Sequence, residues 1–205
     1  LGIGHTRWAT HGAPSDENSH PHNSNNGRIS VVHNGIIENY MELREKLKHH
    51  GYLFYSDTDT EVIPNLIDYY NEGDLLSAIL KTAEDLKGSY ALGIISAENP
   101  NQIMAIRKDS PLVIGLGENE SFIASDVPAI LSYTKEIIYL NDGELAVLNG
   151  DDVTIYNAQG EQIEKESTLI TWSAESAEKA ADRCRYLHLC RVTAVHCYDV
   201  CSACH

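Results

Sequence analysis

The chain has 205 residues, 42% of them hydrophobic and 22% charged, with a formal net charge of −15 at pH 7. That length holds one or two domains with a sizeable core, at the composition of an ordinary globular protein. The acidic balance argues against a nucleic-acid partner, since phosphate binding rests on Lys and Arg, and no apolar run approaches the roughly 18 residues of a membrane span.

The chain opens on Leu1 rather than Met, directly in what reads as a strand, "LGIGHTR", so an upstream part is expected. No basic, then apolar, then small-residue leader suggests export. Residues 29–33, "ISVVH", form a β-branched run predicted to stop at Asn34-Gly35, a dipeptide that favours a tight turn. Residues 38–50 read as a helix: Tyr40, Leu43 and Leu47 share a face, Glu42 precedes Lys46 by four, and Gly51 supplies the stop. A second helix follows "SDTDTE", with Val62, Ile63, Leu66, Ile67 and Tyr70 at helical spacing and Pro64 in the first turn. Thr58 and Glu61 have the spacing of a capping box. A third helix is predicted from Asp74 to Lys87, with Leu75, Leu76, Ile79, Leu80 and Ala83 inward and Gly88 at its end.

After Gly88 the period changes to that of strands. "SYALGIIS", "QIMAIRK", "PLVIGLG", "SFIAS", "EIIYL", "ELAVLN" and "DVTIYN" are short strand candidates, with "NPNQ", "NDG" and "AQG" as turns. One short helix, "VPAILSY", is expected within the series. A strand, then helices, then a run of strands is an α+β order rather than alternating βαβ.

Three stretches carry candidate chemistry. In "VVHNG", the Asn34 side-chain amide and the unobstructed Gly35 N–H stand together, a pair suited to stabilising a developing oxyanion. The plain alternative is a hairpin turn. In "HTRWATHG", Arg7 offers a planar fork for a carboxylate, Trp8 can cover a ligand, Thr10 and His11 add donors, and Gly12 lets the segment flex. Arg7 as a structural ion-pair partner and Trp8 as a core anchor are the alternatives. Asp59 in "SDTDTE" either caps the following helix or holds an ammonium group. An Arg for a carboxylate, an Asp for an amine and an oxyanion hole would together describe a pocket for an α-amino acid with an amide to hydrolyse. A metal reading competes, because five of the ten histidines (His5, His11, His20, His22 and His33) fall in the first 33 residues. No acidic residue there has ligand-like spacing.

The segments "HTRWATHG", "HPH", "VVHNGIIEN", "DTDTEVI", "SPLVIGLG" and "FIASD" closely resemble the glutaminase (type 2 glutamine amidotransferase) domain of the glutamine–fructose-6-phosphate aminotransferases. The resemblance runs in order from about residue 2 to about residue 179. It implies an α+β fold, the four-layered αββα sandwich of N-terminal-nucleophile hydrolases, incomplete at its N-terminus. It also implies that Arg7 binds the glutamine α-carboxylate and Asp59 its α-ammonium, that Asn34 and Gly35 form the oxyanion hole, and that Trp8, Thr10 and His11 belong to the loop that closes over the substrate. L-Glutamine is the implied ligand. The ammonia released is passed to a separate isomerase domain with a fructose 6-phosphate site. No metal or organic cofactor is implied, and the intact protein is expected to be a cytoplasmic homo-oligomer.

The departures from that family matter too. Its nucleophile is a cysteine at the mature N-terminus, whose own amino group serves as base. Here all five cysteines, Cys184, Cys190, Cys197, Cys201 and Cys204, lie in the last 22 residues. The cysteine-free body fits a reducing compartment. The chain alone is therefore expected to lack glutaminase activity, and an absent leading strand is expected to leave a sheet edge open, with loose packing and poor solubility. Two units are expected: a partial glutaminase domain over 1–179 and an unrelated Cys/His-rich tail over 180–205. For the tail, a frame-shifted or joined segment competes with a zinc site and with the haem-attachment form "CSACH". The alternative function is a non-catalytic module that binds glutamine or a metal.

Overall fold

The computed structural model describes residues 1–5, 13 and 15–172. Three helices, α1 (Tyr40–His49), α2 (Val62–Tyr70) and α3 (Leu75–Asp85), follow strands β1 (His22–Asn23) and β2 (Ile29–Ile37). Then come β3 (Gly88–Ser96), β4 (Asn99–Lys108), β5 (Val113–Leu116), β6 (Ser121–Ala124), β7 (Glu136–Tyr139), β8 (Leu145–Asn149), β9 (Asp152–Tyr156), β10 (Gln162–Ile163) and β11 (Thr168–Leu169). They form a seven-stranded sheet in the order β1-β2-β3-β4-β8-β9-β10 and a four-stranded sheet in the order β11-β7-β5-β6. Every pairing between these strands is antiparallel. The expected α+β sandwich is what the chain builds.

The layers follow from side-chain alternation along the strands. On one face of the larger sheet Ile29, Val31, Ile37, Leu92, Ile94 and Ile106 meet the helices through Leu47, Ile63, Leu66 and Ile79. On the other face Val32, Ala91, Ile103 and Ala105 meet Ile114, Ile123 and Ile138 of the smaller sheet. That sheet turns Val113, Phe122, Ala124 and Ile137 outward under Val127, Ile130, Leu131 and Ile170. The helices form because Leu43 and Leu47 in α1, and Ile63, Leu66 and Ile67 in α2, recur at helical spacing on one buried face. Asp74 caps α3 by accepting the Ser77 N–H at 3.3 Å.

One side chain ties the two sheets at their crossovers. Arg107 donates from Nε to the Ser110 carbonyl at 2.6 Å and from Nη1 to the Leu140 carbonyl at 3.0 Å, and pairs with Asp142 at 2.9 Å. It thus grips the chain both where it leaves for the smaller sheet and where it returns to β8. Five donors in a fixed fork make Arg suited to such a junction.

Several expectations require correction. The run "ISVVH" does not stop at Asn34-Gly35; β2 continues to Ile37. "NPNQ" is not a turn: Asn99–Lys108 is strand, the hairpin turns at residues 97–98, and Pro100 falls beside a register shift at Ile95/Ser96, where a missing N–H costs the ladder little. "VPAILSY" yields only a 3-10 turn, Val127–Ala129, with Asp126 capping it, too short a segment to sustain an α-helix. No strand covers residues 1–4, His5 makes a single bridge, and the rest of "LGIGHTR" lies outside the described residues. Among the described residues no helix is long and apolar enough to cross a membrane.

Leu66 is wholly buried between helices and sheet. Leu66→Ala should lower unfolding stability by about 2–5 kcal/mol in a urea titration. Met41→Ala, at a position 57% exposed, should stay within about 0.5 kcal/mol.

Candidate functional site

Strand β2 carries the site. Asn34 and Gly35 pair with Ala91 and Tyr90 of β3, and the ladder runs on to Ile37 opposite Gly88. The Asn-Gly pair is therefore not a hairpin turn, because long-range pairing with β3 outweighs the local turn preference. Gly35 has φ +137°, and a Cβ there would lie 2.1 Å from the Ser89 carbonyl oxygen. Only glycine allows β3 so close at this point. By alternation Asn34 shares the face of Val32, toward the smaller sheet, while His33 shares that of Val31, toward the helices.

The backbone N–H groups of β2 alternate in the same way. On the side away from β3, Ile29 donates to Ser24 Oγ at 3.1 Å, His33 approaches His20 Nδ1 at 3.5 Å, and Ile37 donates to Asp59 Oδ2 at 2.8 Å. Gly35 lies between the last two of these residues, two positions or about 7 Å along the strand from Ile37, whose N–H Asp59 accepts. Asp59 is buried and accepts the Ile37 N–H, so this carboxylate near the start of α2 makes a bond to a strand. The Thr58–Glu61 capping box does not form. Glu61 is itself the first flanking residue of α2, and its carboxylate turns back to the Tyr55 and Ser56 N–H groups at 2.9 Å each.

Two buried histidines flank Asp59. His22 Nε2 lies 3.0 Å from Thr58 Oγ1, and His33 Nδ1 lies 2.9 Å from Thr60 Oγ1. The first bond has a fixed direction. Ser56 gives its one hydroxyl proton to the Glu61 carboxylate at 2.7 Å, so Thr58 donates to Ser56 and accepts from His22 Nε2–H. Arg44 closes this chain, 3.4 Å from Glu61 and bonded to the Ser56 carbonyl. Burial pushes His33 below its ordinary value of 6.5, against an opposing pull from the Asp59 carboxylate and the Ser89 backbone. His33 Nε2 is buried without a well-formed hydrogen bond.

A polar cleft of about 370 Å³ opens beside these residues, with His20, His22, Asn25, Tyr55 and Glu61 in its wall. The histidines do not converge on a metal geometry: among the described residues no three His, Cys, Asp or Glu side chains are grouped to hold an ion. Their rings stack instead, His5 on His20 at 4.6 Å and His20 against His22 at 5.2 Å. Arg7, Trp8, Thr10 and His11, and the tail over 180–205, lie outside the described residues. Sequence reasoning brought Asn34, Gly35 and Asp59 forward and missed the pairing of His22 with Thr58 and of His33 with Thr60. The alternation of Thr, Asp and Thr at 58–60 was the one available signal.

The sequence profile of the family described as "Glutamine amidotransferase domain" matches residues 5–132. Curated relatives named glutamine–fructose-6-phosphate aminotransferase (isomerizing) include those of Clostridium acetobutylicum, 59% identical over 179 residues, and Aquifex aeolicus, 57% identical over 178. Each match covers 87% of this chain, and the chain spans only 29% and 30% of those relatives. Among solved structures, the glutamine phosphoribosylpyrophosphate amidotransferase of Bacillus subtilis superposes with a TM-score of 0.64 at 24% identity, covering 85% of this chain and 41% of that one. A glutamine aminotransferase class-II domain protein from Silicibacter pomeroyi superposes with a TM-score of 0.51 at 16% identity, covering 67% and 70%. These two likenesses concern the fold.

The close approach at Gly35 and the buried state of His33 each give an expected outcome. Gly35→Ala should cost about 2–4 kcal/mol by thermal unfolding, since both the positive φ and the Ser89 contact must be relieved. For His33, the folded-state value lies below the unfolded 6.5, so the unfolded chain takes up the proton first. Stability from this group is complete above about pH 6.5 and declines as the pH falls below it, until the folded imidazole also protonates. Denaturant titrations from about pH 7.5 to 5 should show that decline, and His33→Asn should flatten it.

Proposed function

Because this chain belongs to the glutamine amidotransferase domain family, we propose that its site binds L-glutamine and presents the side-chain amide for hydrolysis to glutamate and ammonia. The observation that supports this reading is that Asp59 accepts the Ile37 N–H, two residues or about 7 Å along β2 from Gly35 and next to the Asn34-Gly35 pair. That spacing suits an amino acid whose charged amine and side-chain carbonyl are separated by several bonds. Asp59, which accepts the Ile37 N–H, pairs with the α-ammonium group. Asn34 and the Gly35 N–H stabilise the negative charge that develops on the carbonyl oxygen when a nucleophile adds to it. Arg7 takes the α-carboxylate, and Trp8, Thr10 and His11 close over the ligand.

The glutaminase unit is read as residues 1–179. In the whole protein the ammonia would pass to a domain that aminates fructose 6-phosphate, which the names of the relatives and the share of their length that the chain spans support; that whole protein is read as a cytoplasmic homo-oligomer. The nucleophile of the reading is an N-terminal cysteine, and the first cysteine here is Cys184. The 205 residues by themselves bind glutamine and do not turn it over.

Calorimetry with L-glutamine is the test. Binding is expected, weakened tenfold or more by Arg7→Ala and by Asp59→Asn, because each removes a charge-assisted contact worth about 1.5–3 kcal/mol. Heat of binding that neither substitution changes would defeat the pocket. An assay of ammonia from glutamine should read zero for this chain; turnover would show that another nucleophile serves.

A further inference from the structure

We propose that His22 and His33 are positioning residues for Asp59, holding the threonines on either side of it so that the carboxylate meets the ammonium group of the substrate. This rests on the glutamine-binding reading above, and adds to it the device that presents one of its charged groups.

The geometry is specific. His22 and His33 come from paired strands: His22 stands opposite Val31, and His33 follows Val31 by two residues on the same face of β2. Their rings therefore address the 56–61 segment from two neighbouring points of one sheet surface. That segment has no helical or strand hydrogen bonding of its own at Thr58 and Asp59. Its position depends on side chains. His22 reaches Thr58 at 3.0 Å and His33 reaches Thr60 at 2.9 Å, and both histidines and all three residues from 58 to 60 are buried. Asp59, fixed on both sides, is left to point at the edge of β2, where it takes the Ile37 N–H. The Ser56–Glu61–Arg44 chain behind Thr58 anchors one half of the clamp to α1. The His33 half is anchored by the strand that carries Asn34 and Gly35. The same strand thus sets both the oxyanion donors and, through His33 and Ile37, the distance to the carboxylate. The alternative is that the two histidines only fill space in the core. Neither packs as an apolar group would, since each spends a ring nitrogen on the hydroxyl of a threonine next to Asp59.

The test compares L-glutamine with glutaramic acid, its analogue lacking the α-amino group, by calorimetry on the full chain at about pH 7.5. The wild-type chain should prefer glutamine. His22→Leu and His33→Leu should each reduce that preference about tenfold while leaving glutaramic acid binding within about threefold. His22→Gln and His33→Asn, which place an amide nitrogen near the lost Nε2 and Nδ1, should restore most of it. A purely structural role would weaken both ligands equally, and that result overturns the proposal, as does an unchanged preference in folded Leu variants. Should the Leu variants fail to fold, Thr58→Val and Thr60→Val break the same bonds from the other end and are read in the same way. A ligand-free measurement stands beside it. Amide exchange at Ile37, whose acceptor is Asp59, should quicken about tenfold in the broken clamp, with Val31 unchanged; equal exchange at Ile37 overturns the clamp. If the wild-type chain binds neither compound while Ile37 still responds, the pocket reading fails and the clamp survives only as a fold device, which ends its role as a positioning element.

Discussion

The approach of β3 to Gly35 is the constraint on which the rest of the site depends. With the Ser89 carbonyl 2.1 Å from where a Cβ would sit, any other residue would push β2 and β3 apart within the larger sheet. Gly88 repeats the device one turn of the ladder away, where a Cβ would meet the Ile36 carbonyl at 2.2 Å. Between these two points β2 is drawn tightly against β3 on one side. On its other side β1 covers Ser30 and Val31, and outside that short pairing the N–H groups meet side chains: Ser24, His20 and Asp59 in turn. A strand that is half paired to a sheet and half paired to side chains is a poor structural element and a good site. Its outward N–H groups are fixed in direction and spacing, at no further cost, by the ladder behind them.

The electrostatics follow from the same layout. A buried carboxylate is tolerated only when its hydrogen-bonding capacity is met, and Asp59 has the Ile37 N–H for part of it. His33, wholly enclosed, is held neutral by burial even though Asp59 lies close enough to pull the other way. Desolvation dominates because an imidazolium there would have little water and few acceptors to replace it. The Glu61 carboxylate is handled differently, with two backbone donors, a serine hydroxyl and Arg44, and serves as the fixed end of a hydrogen-bond chain rather than as an open group. Two carboxylates two residues apart in one segment, Asp59 and Glu61, therefore have opposite duties. Their surroundings decide which.

What the sequence by itself determined is periodic or chemical. The apolar spacing in 40–47, 62–70 and 75–83 placed the helices to within a few residues, and the β-branched runs after Gly88 placed the strands, because burial of one face imposes a 3.6- or two-residue repeat on the text. The stretches around Arg7, Asn34 and Asp59 marked the family and with it the sandwich. Tertiary structure alone decided the conformations at Asn34-Gly35, at "NPNQ" and at Asp59. In the first two, a local preference for a turn met a long-range partner, β3 and β4's own ladder, and the partner won; at Asp59 a carboxylate near a helix start took up the Ile37 N–H of a distant strand. Local signals record what a segment favours by itself. Which strand passes beside it, and whose N–H lies open there, is fixed only when residues tens of positions apart are packed into one core.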